Sequence, residues 1–176
     1  MTPLSDTDHI RGPGLDADAA VSLAQYGDFE CPYSKQVHQI VREVMGSHPG
    51  RVRFAFRHFP VRYHPHALIA AIAAEAVEAA HGADAFWAYH DRLYEHPSAL
   101  RRDQLPVHAE ALGYDRDAVH RALEDEARKT EILAQKRGGV KAGVRSTLNL
   151  WIDGELFEED DLEEALIERV IKPLHA

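Results

Sequence analysis

A strand–helix–strand pattern near the start of the chain restricts the possible fold more than any other feature. The apolar run Val21–Tyr26 predicts a buried strand, and a second strand is indicated where Val52, Phe54 and Phe56 alternate with other residues. Between these strands, apolar residues recur at the spacing of one helix face, at Val37, Ile40, Val41, Val44 and Met45. A helix that links two strands in this way is typical of a β-α-β unit, so we predict that the strands are parallel.

The rest of the chain divides into a long helical stretch and a short β-β-α ending. Residues 65–142 have apolar residues at helical spacing and no strand signal. After them, strands are predicted at Leu148–Ile152 and Glu155–Phe157, because Asp153-Gly154 between them is typical of a two-residue hairpin turn. An amphipathic helix follows from Leu162. The sequence therefore predicts an α/β fold with an all-helical insertion between a β-α-β half and a β-β-α half.

The charge and the cysteine content exclude several classes of function. The chain has 29 acidic and 20 basic residues and a formal charge of −9, so we do not expect it to bind nucleic acid. No apolar run approaches the roughly 20 residues of a membrane helix, so no association with a membrane is expected. Residues 1–14 lack the apolar core of a signal peptide, so we expect a cytoplasmic protein. With one cysteine, Cys31, the chain cannot form an intramolecular disulfide.

Several segments together resemble the DsbA-like branch of the thioredoxin superfamily, a family of thiol–disulfide oxidoreductases. They are Tyr26–Tyr33, Arg57–Pro60, His64–Ala67, and Gly143–Arg145 with Thr147 and Asp153-Gly154. The resemblance implies a thioredoxin-like domain formed by residues 19–64 and 143–176, a helical insertion at 65–142, and an irregular N-terminal arm at 1–18. It implies no bound organic cofactor.

The chain departs from this family at two positions that the family's chemistry uses. The family has Cys-Pro-Tyr-Cys or a close variant, but here the fourth residue is Ser34, and Leu148 stands where the family has a cis-proline. By the resemblance, Cys31 is the catalytic nucleophile and Ser34 is its catalytic hydrogen-bonding neighbour. A cis bond before a residue other than proline costs about 2.5–4 kcal/mol, so we predict a trans bond before Leu148. The residues expected to bind substrate are Pro32, Tyr33, Thr147 and Leu148.

The place of Cys31 at a helix start predicts a reactive sulfur. Pro32 suits the first position of a helix, so the Cys31 sulfur should face unpaired N–H groups and the positive end of the helix dipole, which favour the thiolate. We expect this sulfur to lie open to water. A single thiol can form a mixed disulfide with a protein or a small-molecule disulfide, but Ser34 has no sulfur with which to release it. The leading hypothesis is a monothiol thiol–disulfide oxidoreductase. A second possibility is that Cys31 is oxidised to a sulfenic acid, which an external thiol then reduces.

Two other functions remain open. A redox-inactive thioredoxin-fold module that binds a protein or peptide partner is favoured by the changes at Ser34 and Leu148, because both positions serve the chemistry. A second alternative resembles the monothiol glutaredoxins, which use Cys-x-x-Ser and share an iron–sulfur cluster between subunits, but the long insertion and the missing proline count against it. The sequence does not indicate an oligomeric state.

Two further groups of residues have structural interpretations. The histidines at 58, 64 and 66 could bind zinc, but no carboxylate or cysteine spacing completes a site, so we interpret them as structural or surface residues and expect no metal. Aromatic residues at helical spacing could line a cleft over Cys31, but we interpret them as the core of the helical stretch; they are Phe86, Trp87, Tyr89 and Tyr94.

Overall fold

The computed structural model describes residues 4–5, 7–158 and 162–175, and within these ranges it contains one sheet of five strands. The strands are β1 His9–Arg11, β2 Val21–Gly27, β3 Val52–His58, β4 Asn149–Ile152 and β5 Glu155–Glu158. β1 is antiparallel to β3, β2 to β4, and β4 to β5. The predicted hairpin is formed by β4 and β5, and the two strands of the predicted β-α-β unit, β2 and β3, are neighbours. The spatial order of the strands in the sheet is β1-β3-β2-β4-β5.

Helices occupy the positions that the apolar spacing predicts. Helix α1 (Pro32–Ser47) links β2 and β3. The C-terminal helix consists of α7 (Leu162–Leu166), a π-helical segment (Ile167–Ile171) and α8 (Lys172–His175). None of the described helices is both long enough and apolar enough to cross a lipid bilayer. The helical stretch contains α2 (Ala67–His81), α3 (Ala83–Glu95), α4 (Leu105–Ala111), α5 (Arg116–Ala122) and α6 (Glu126–Lys141).

The chain forms two compact units. The helical unit consists of Asp28–Cys31 and His58–Arg137, and the sheet unit consists of Met1–Gly27, Pro32–Arg57 and Gly138–Ala176. The helical unit therefore begins before the predicted boundary at residue 65, and it includes the turn that ends at Cys31. Segment 1–18, which we expected to be irregular, contains β1, whose three residues are too few to show an alternating pattern.

The sheet unit contains a buried ion pair. Arg57 donates to the two carboxylate oxygens of Asp8 at 2.5 and 2.7 Å, and to the Tyr26 hydroxyl at 3.0 Å. The Arg57 and Asp8 side chains are 9% and 5% exposed. The hydrogen bond to Asp8 raises the pKa of Arg57 still further above its ordinary value, so the guanidinium remains charged.

The helical unit has an aromatic core, as the sequence predicts. Phe86, Tyr89 and Tyr94 have no exposed surface, and Trp87 is 7% exposed. The Tyr89 hydroxyl donates to the Leu105 carbonyl at 2.8 Å, and burial raises the pKa of Tyr89 far above its ordinary value. These aromatic residues therefore pack the interior of the unit.

Candidate active site

Cys31 lies immediately before α1, as the sequence predicts. Its N–H donates to the Asp28 carbonyl at 3.1 Å and closes the turn that follows β2. Pro32 is the first residue of α1, where its missing N–H removes no helical hydrogen bond. The Cys31 residue is only 4% exposed, so the expectation of a sulfur open to water is wrong. A periodic pattern places Cys31 at the helix start, but it does not show how much of the chain packs around that point.

The turn before α1 is held by two carboxylates that face the segment between β3 and α2. Asp28 is 2% exposed and accepts hydrogen bonds at 2.8 Å from the backbone N–H groups of Glu30 and Val61 and from His64 Nδ1. Glu30 accepts from the backbone N–H of His66 at 2.7 Å, and its other oxygen lies 3.0 Å from His66 Nδ1. All these residues belong to the helical unit. We call Asp28, Glu30, His64 and His66 the carboxylate–histidine clamp.

The sequence contains a signal for this clamp that the pattern analysis did not use. Asp28 and Glu30 are two residues apart, and so are His64 and His66. In the structure both pairs lie in turns, and each carboxylate meets the histidine at the matching place in the other pair. Only the folded chain shows that these two segments are neighbours.

The first turn of α1 and the segment before β4 are joined within the sheet unit. Ser34 is fully buried, and its hydroxyl donates to the Thr147 carbonyl at 3.3 Å, while its own carbonyl accepts from Gln25 Nε2 at 3.3 Å. The structure therefore brings together Ser34 and Thr147, two predicted site residues. In this arrangement the single hydroxyl hydrogen of Ser34 is used for Thr147. The role predicted for Ser34 towards the sulfur stays a prediction.

The remaining predicted substrate-binding residues differ in exposure. Pro32 is exposed and Tyr33 is 50% exposed, so both can be reached from solvent, whereas Thr147 is 6% exposed. The described residues contain no cis peptide bond, so the predicted trans bond before Leu148 is confirmed. Asn149 fixes the next position by donating to the Ser146 carbonyl at 2.8 Å and to the Tyr26 carbonyl at 2.9 Å.

Leu148 lines an open groove in the sheet unit. The groove has a volume of about 740 Å³ and lies between α1 and the C-terminal helix. His48 and His175 also line it, with their ring centroids 5.0 Å apart in an edge-to-face arrangement. Ile167, on the π-helical segment, is 42% exposed, which is unusual for an isoleucine. The apolar lining consists of Ile40, Val44, Leu148, Leu166, Ile167 and Ile171.

The three clustered histidines lie beside three different carboxylates. His64 and His66 belong to the clamp, and His58, which is 1% exposed, has its Nε2 3.0 Å from a carboxylate oxygen of Glu75. Their ring nitrogens therefore do not converge on one point, as zinc ligands would have to do. The structural interpretation of these histidines stays a prediction.

Comparison with known proteins relates most of the chain to one family. The sequence model of a family described as thioredoxin matches residues 5–172. Among curated proteins, Na(+)/H(+) antiporter NhaA 1 of Salinispora arenicola is 37% identical over 156 residues, which are 88% of this chain and 23% of that protein. The NhaA antiporter of Herminiimonas arsenicoxydans is 31% identical over 85% of this chain and 23% of its own length. The chain thus spans about a quarter of the length of these relatives.

Solved structures share the fold at low sequence identity. Oxidised BdbD from Bacillus subtilis has a TM-score of 0.78 at 21% identity, with 96% of this chain and 94% of that chain covered. DsbA2 from Pseudomonas aeruginosa has a TM-score of 0.74 at 24% identity, with 96% and 95% covered. These matches show that the fold is the DsbA-type thioredoxin fold, as the sequence resemblance implies.

Proposed function

The chain belongs to the thioredoxin family, and from this premise we propose that it is a monothiol thiol–disulfide oxidoreductase that forms mixed disulfides through Cys31. The observation that carries the proposal is the place of the chain's one cysteine, in a closed turn directly before a helix of 16 residues. The first turn of this helix contains no acidic residue, so nothing in it cancels the positive end of the helix dipole. The thiolate is the form of a cysteine that attacks disulfides.

The proposed reaction is an exchange in two steps. The Cys31 thiolate attacks one sulfur of a disulfide, a new S–S bond forms, and the other sulfur leaves as a thiolate that takes a proton from water. A second thiolate, from a small thiol or from the substrate's own second cysteine, then attacks the mixed disulfide and releases Cys31 as a thiolate. Cys31 therefore ends in its starting state, and any net oxidation passes between the disulfide and the second thiol.

The low exposure of Cys31 bears on the substrate class. A sulfur in a residue that is 4% exposed is reached more easily by a small disulfide than by one held within a folded protein. We therefore expect low-molecular-weight disulfides, or disulfides in unfolded segments, to react first.

We also propose a cytoplasmic location, which fractionation of cells that express the protein at its natural level would test.

Intact-mass measurement of the native protein after incubation with oxidised glutathione tests the proposal. The expected result is one glutathione adduct on Cys31 that excess dithiothreitol removes, with no adduct in the Cys31→Ser variant. A sample unfolded in urea supplies the reference rate for an unprotected thiol. Modification of Cys31 only in the unfolded sample would reject the oxidoreductase function.

A second candidate function, a redox-inactive module that binds a peptide, is favoured by the groove lined by Leu148. Its apolar lining suits an apolar segment of a partner, and the low exposure of Cys31 suits a thiol without a chemical role. Binding of an apolar fluorescent probe such as anilinonaphthalene sulfonate to the native protein would test the groove. Leu148→Lys should weaken this binding, whereas Val140→Lys, at an exposed residue of α6 outside the groove lining, should not.

A further inference from the structure

The three residues before Cys31 alternate between two kinds of contact, hydrogen bonds to histidines and packing among aromatic rings. Asp28 and Glu30 reach the histidines of the clamp, while Phe29 between them is 1% exposed and packs among aromatic rings of the helical unit. The Phe29 ring centroid lies 5.0 Å from that of Tyr94 and 5.4 Å from that of His90. Three consecutive side chains are therefore fixed immediately before Cys31.

The clamp reaches Cys31 through the backbone. The Cys31 N–H donates to the Asp28 carbonyl, so the residue whose carboxylate accepts from His64 also holds the amide of the cysteine. The clamp is therefore joined to the backbone of Cys31 by one hydrogen bond.

The histidine hydrogen bonds do not require a charged ring. Each carboxylate faces Nδ1, so the Nδ1 hydrogen is donated whether or not Nε2 also carries a proton. The feature that matters for the clamp is a donor at the Nδ1 position. An asparagine amide nitrogen can occupy nearly the same place, whereas a leucine side chain has no donor.

We propose that the carboxylate–histidine clamp positions Cys31 for disulfide exchange, with Asp28 and Glu30 as positioning residues. The inference rests on the proposed function, because it concerns the rate of the same exchange. Attack on a disulfide requires the three sulfur atoms to lie in line. If the turn before α1 moves freely, the Cys31 sulfur spends less time in this linear arrangement. The clamp contributes by restricting that motion, without contacting the disulfide.

Matched substitutions at His64 separate positioning from a general loss of structure. His64→Leu removes the donor to Asp28, and His64→Asn keeps it. We expect the rate of mixed-disulfide formation with oxidised glutathione to fall about tenfold in His64→Leu and to recover to within about threefold of the wild-type rate in His64→Asn. His120→Leu, at an exposed histidine of α5, is the control and should leave the rate unchanged. If His64→Leu does not fold, His66→Leu and His66→Asn apply the same comparison to Glu30.

A second measurement, hydrogen exchange of the Cys31 amide, distinguishes failure of this inference from failure of the proposed function. If the native wild type reacts and the leucine variant reacts as fast or faster, or if the asparagine variant is as slow as the leucine variant, the positioning role is wrong and the oxidoreductase function stands. If the native wild type does not react at all, the oxidoreductase function is wrong. In that case, faster exchange of the Cys31 amide in His64→Leu than in His64→Asn supports the clamp, and equal exchange refutes it.

Discussion

The two buried carboxylates Asp8 and Asp28 have partners of different kinds. Asp8, in the sheet unit, accepts two hydrogen bonds from Arg57, which stays charged at any pH at which proteins fold. Asp28, in the helical unit, accepts from two backbone N–H groups and from His64 Nδ1, a partner that can donate without carrying a charge. The sheet unit is therefore stabilised by the permanent ion pair of Asp8 and Arg57, whereas the turn before Cys31 is held by hydrogen bonds that need no charged partner.

Removing the arginine of the permanent pair is expected to have the largest effect. Arg57→Met leaves the Asp8 carboxylate buried without its charged partner, which should lower the free energy of unfolding by about 3–5 kcal/mol. Urea denaturation followed by circular dichroism measures this change. Arg116→Met breaks an exposed pair with Glu110 and should lower stability by less than about 1 kcal/mol. Equal losses in the two variants would show that the buried Asp8–Arg57 pair contributes no more to the free energy of unfolding than an exposed pair does.

The carboxylate of the turn should have a smaller effect on stability. Asp28→Asn keeps one acceptor oxygen but turns an amide group towards N–H donors, and hydrogen bonds to charged groups contribute about 1.5–3 kcal/mol. We expect a loss of about 2 kcal/mol in the same urea experiment. The control Asp103→Asn, at an exposed aspartate beside Arg101, should leave the denaturation midpoint almost unchanged. A loss in Asp28→Asn as large as in Arg57→Met would remove the distinction between the two carboxylates.

A neutral hydrogen bond should contribute less than either carboxylate. Ser34→Ala removes the donor to the Thr147 carbonyl, and we expect a loss of about 1 kcal/mol in the free energy of unfolding. Ser47→Ala, near the other end of α1 at an exposed position, is the matched control. If Ser34→Ala is as stable as the control, the hydrogen bond that joins α1 to the segment before β4 contributes nothing measurable.

The smallest expected effect is a change in the pH dependence of stability that comes from His108, a histidine that faces an arginine. Its Nδ1 accepts from Arg92 Nε at 3.1 Å, and its Nε2 donates to the Ala99 carbonyl at 2.8 Å. Burial lowers the pKa of His108, so the folded protein binds this proton less readily than the unfolded chain. Its contribution to stability is therefore present above the ordinary histidine value of about 6.5 and is lost as the pH falls through the lowered value.

His108→Gln tests this dependence, because its amide nitrogen can still donate to Ala99 while the side chain no longer titrates. Stability measured by urea denaturation between about pH 7.5 and 5.5 should fall less steeply in the variant than in the wild type. His120→Gln, at an exposed histidine, should keep the wild-type slope. A steeper slope in His108→Gln would mean that the sign of the His108 contribution is wrong.

Sequence patterns predicted the parts of the fold that depend on local spacing. The helix from Pro32, the strands around Asp153-Gly154 and the helical stretch all follow from periodicity, and the structure contains each of them. The short strand β1 was missed because three residues carry no period. The inclusion of Asp28–Cys31 and of residues 58–64 in the helical unit was not predicted, because compactness depends on contacts and not on composition.

The candidate site was predicted only in part. Ser34 and Thr147 were both expected at the site and are joined by a hydrogen bond, although they are 113 residues apart. The exposure of Cys31 was predicted wrongly, and the hydrogen bonds that Asp28 and Glu30 accept from histidines were not predicted. Leu148 was expected to bind substrate, which stays a prediction, and it lines a groove of the sheet unit.

By itself the sequence determined that this chain has one thiol, that the thiol stands where a helix begins, and that no second thiol of this chain can release a mixed disulfide. These properties follow from residue identity and local periodicity, which need no knowledge of the chain path. Only the tertiary structure decided that Cys31 is buried and that Asp28 meets His64, 36 residues away. Such contacts depend on how distant segments are folded against one another, and this information is not contained in the spacing of neighbouring residues.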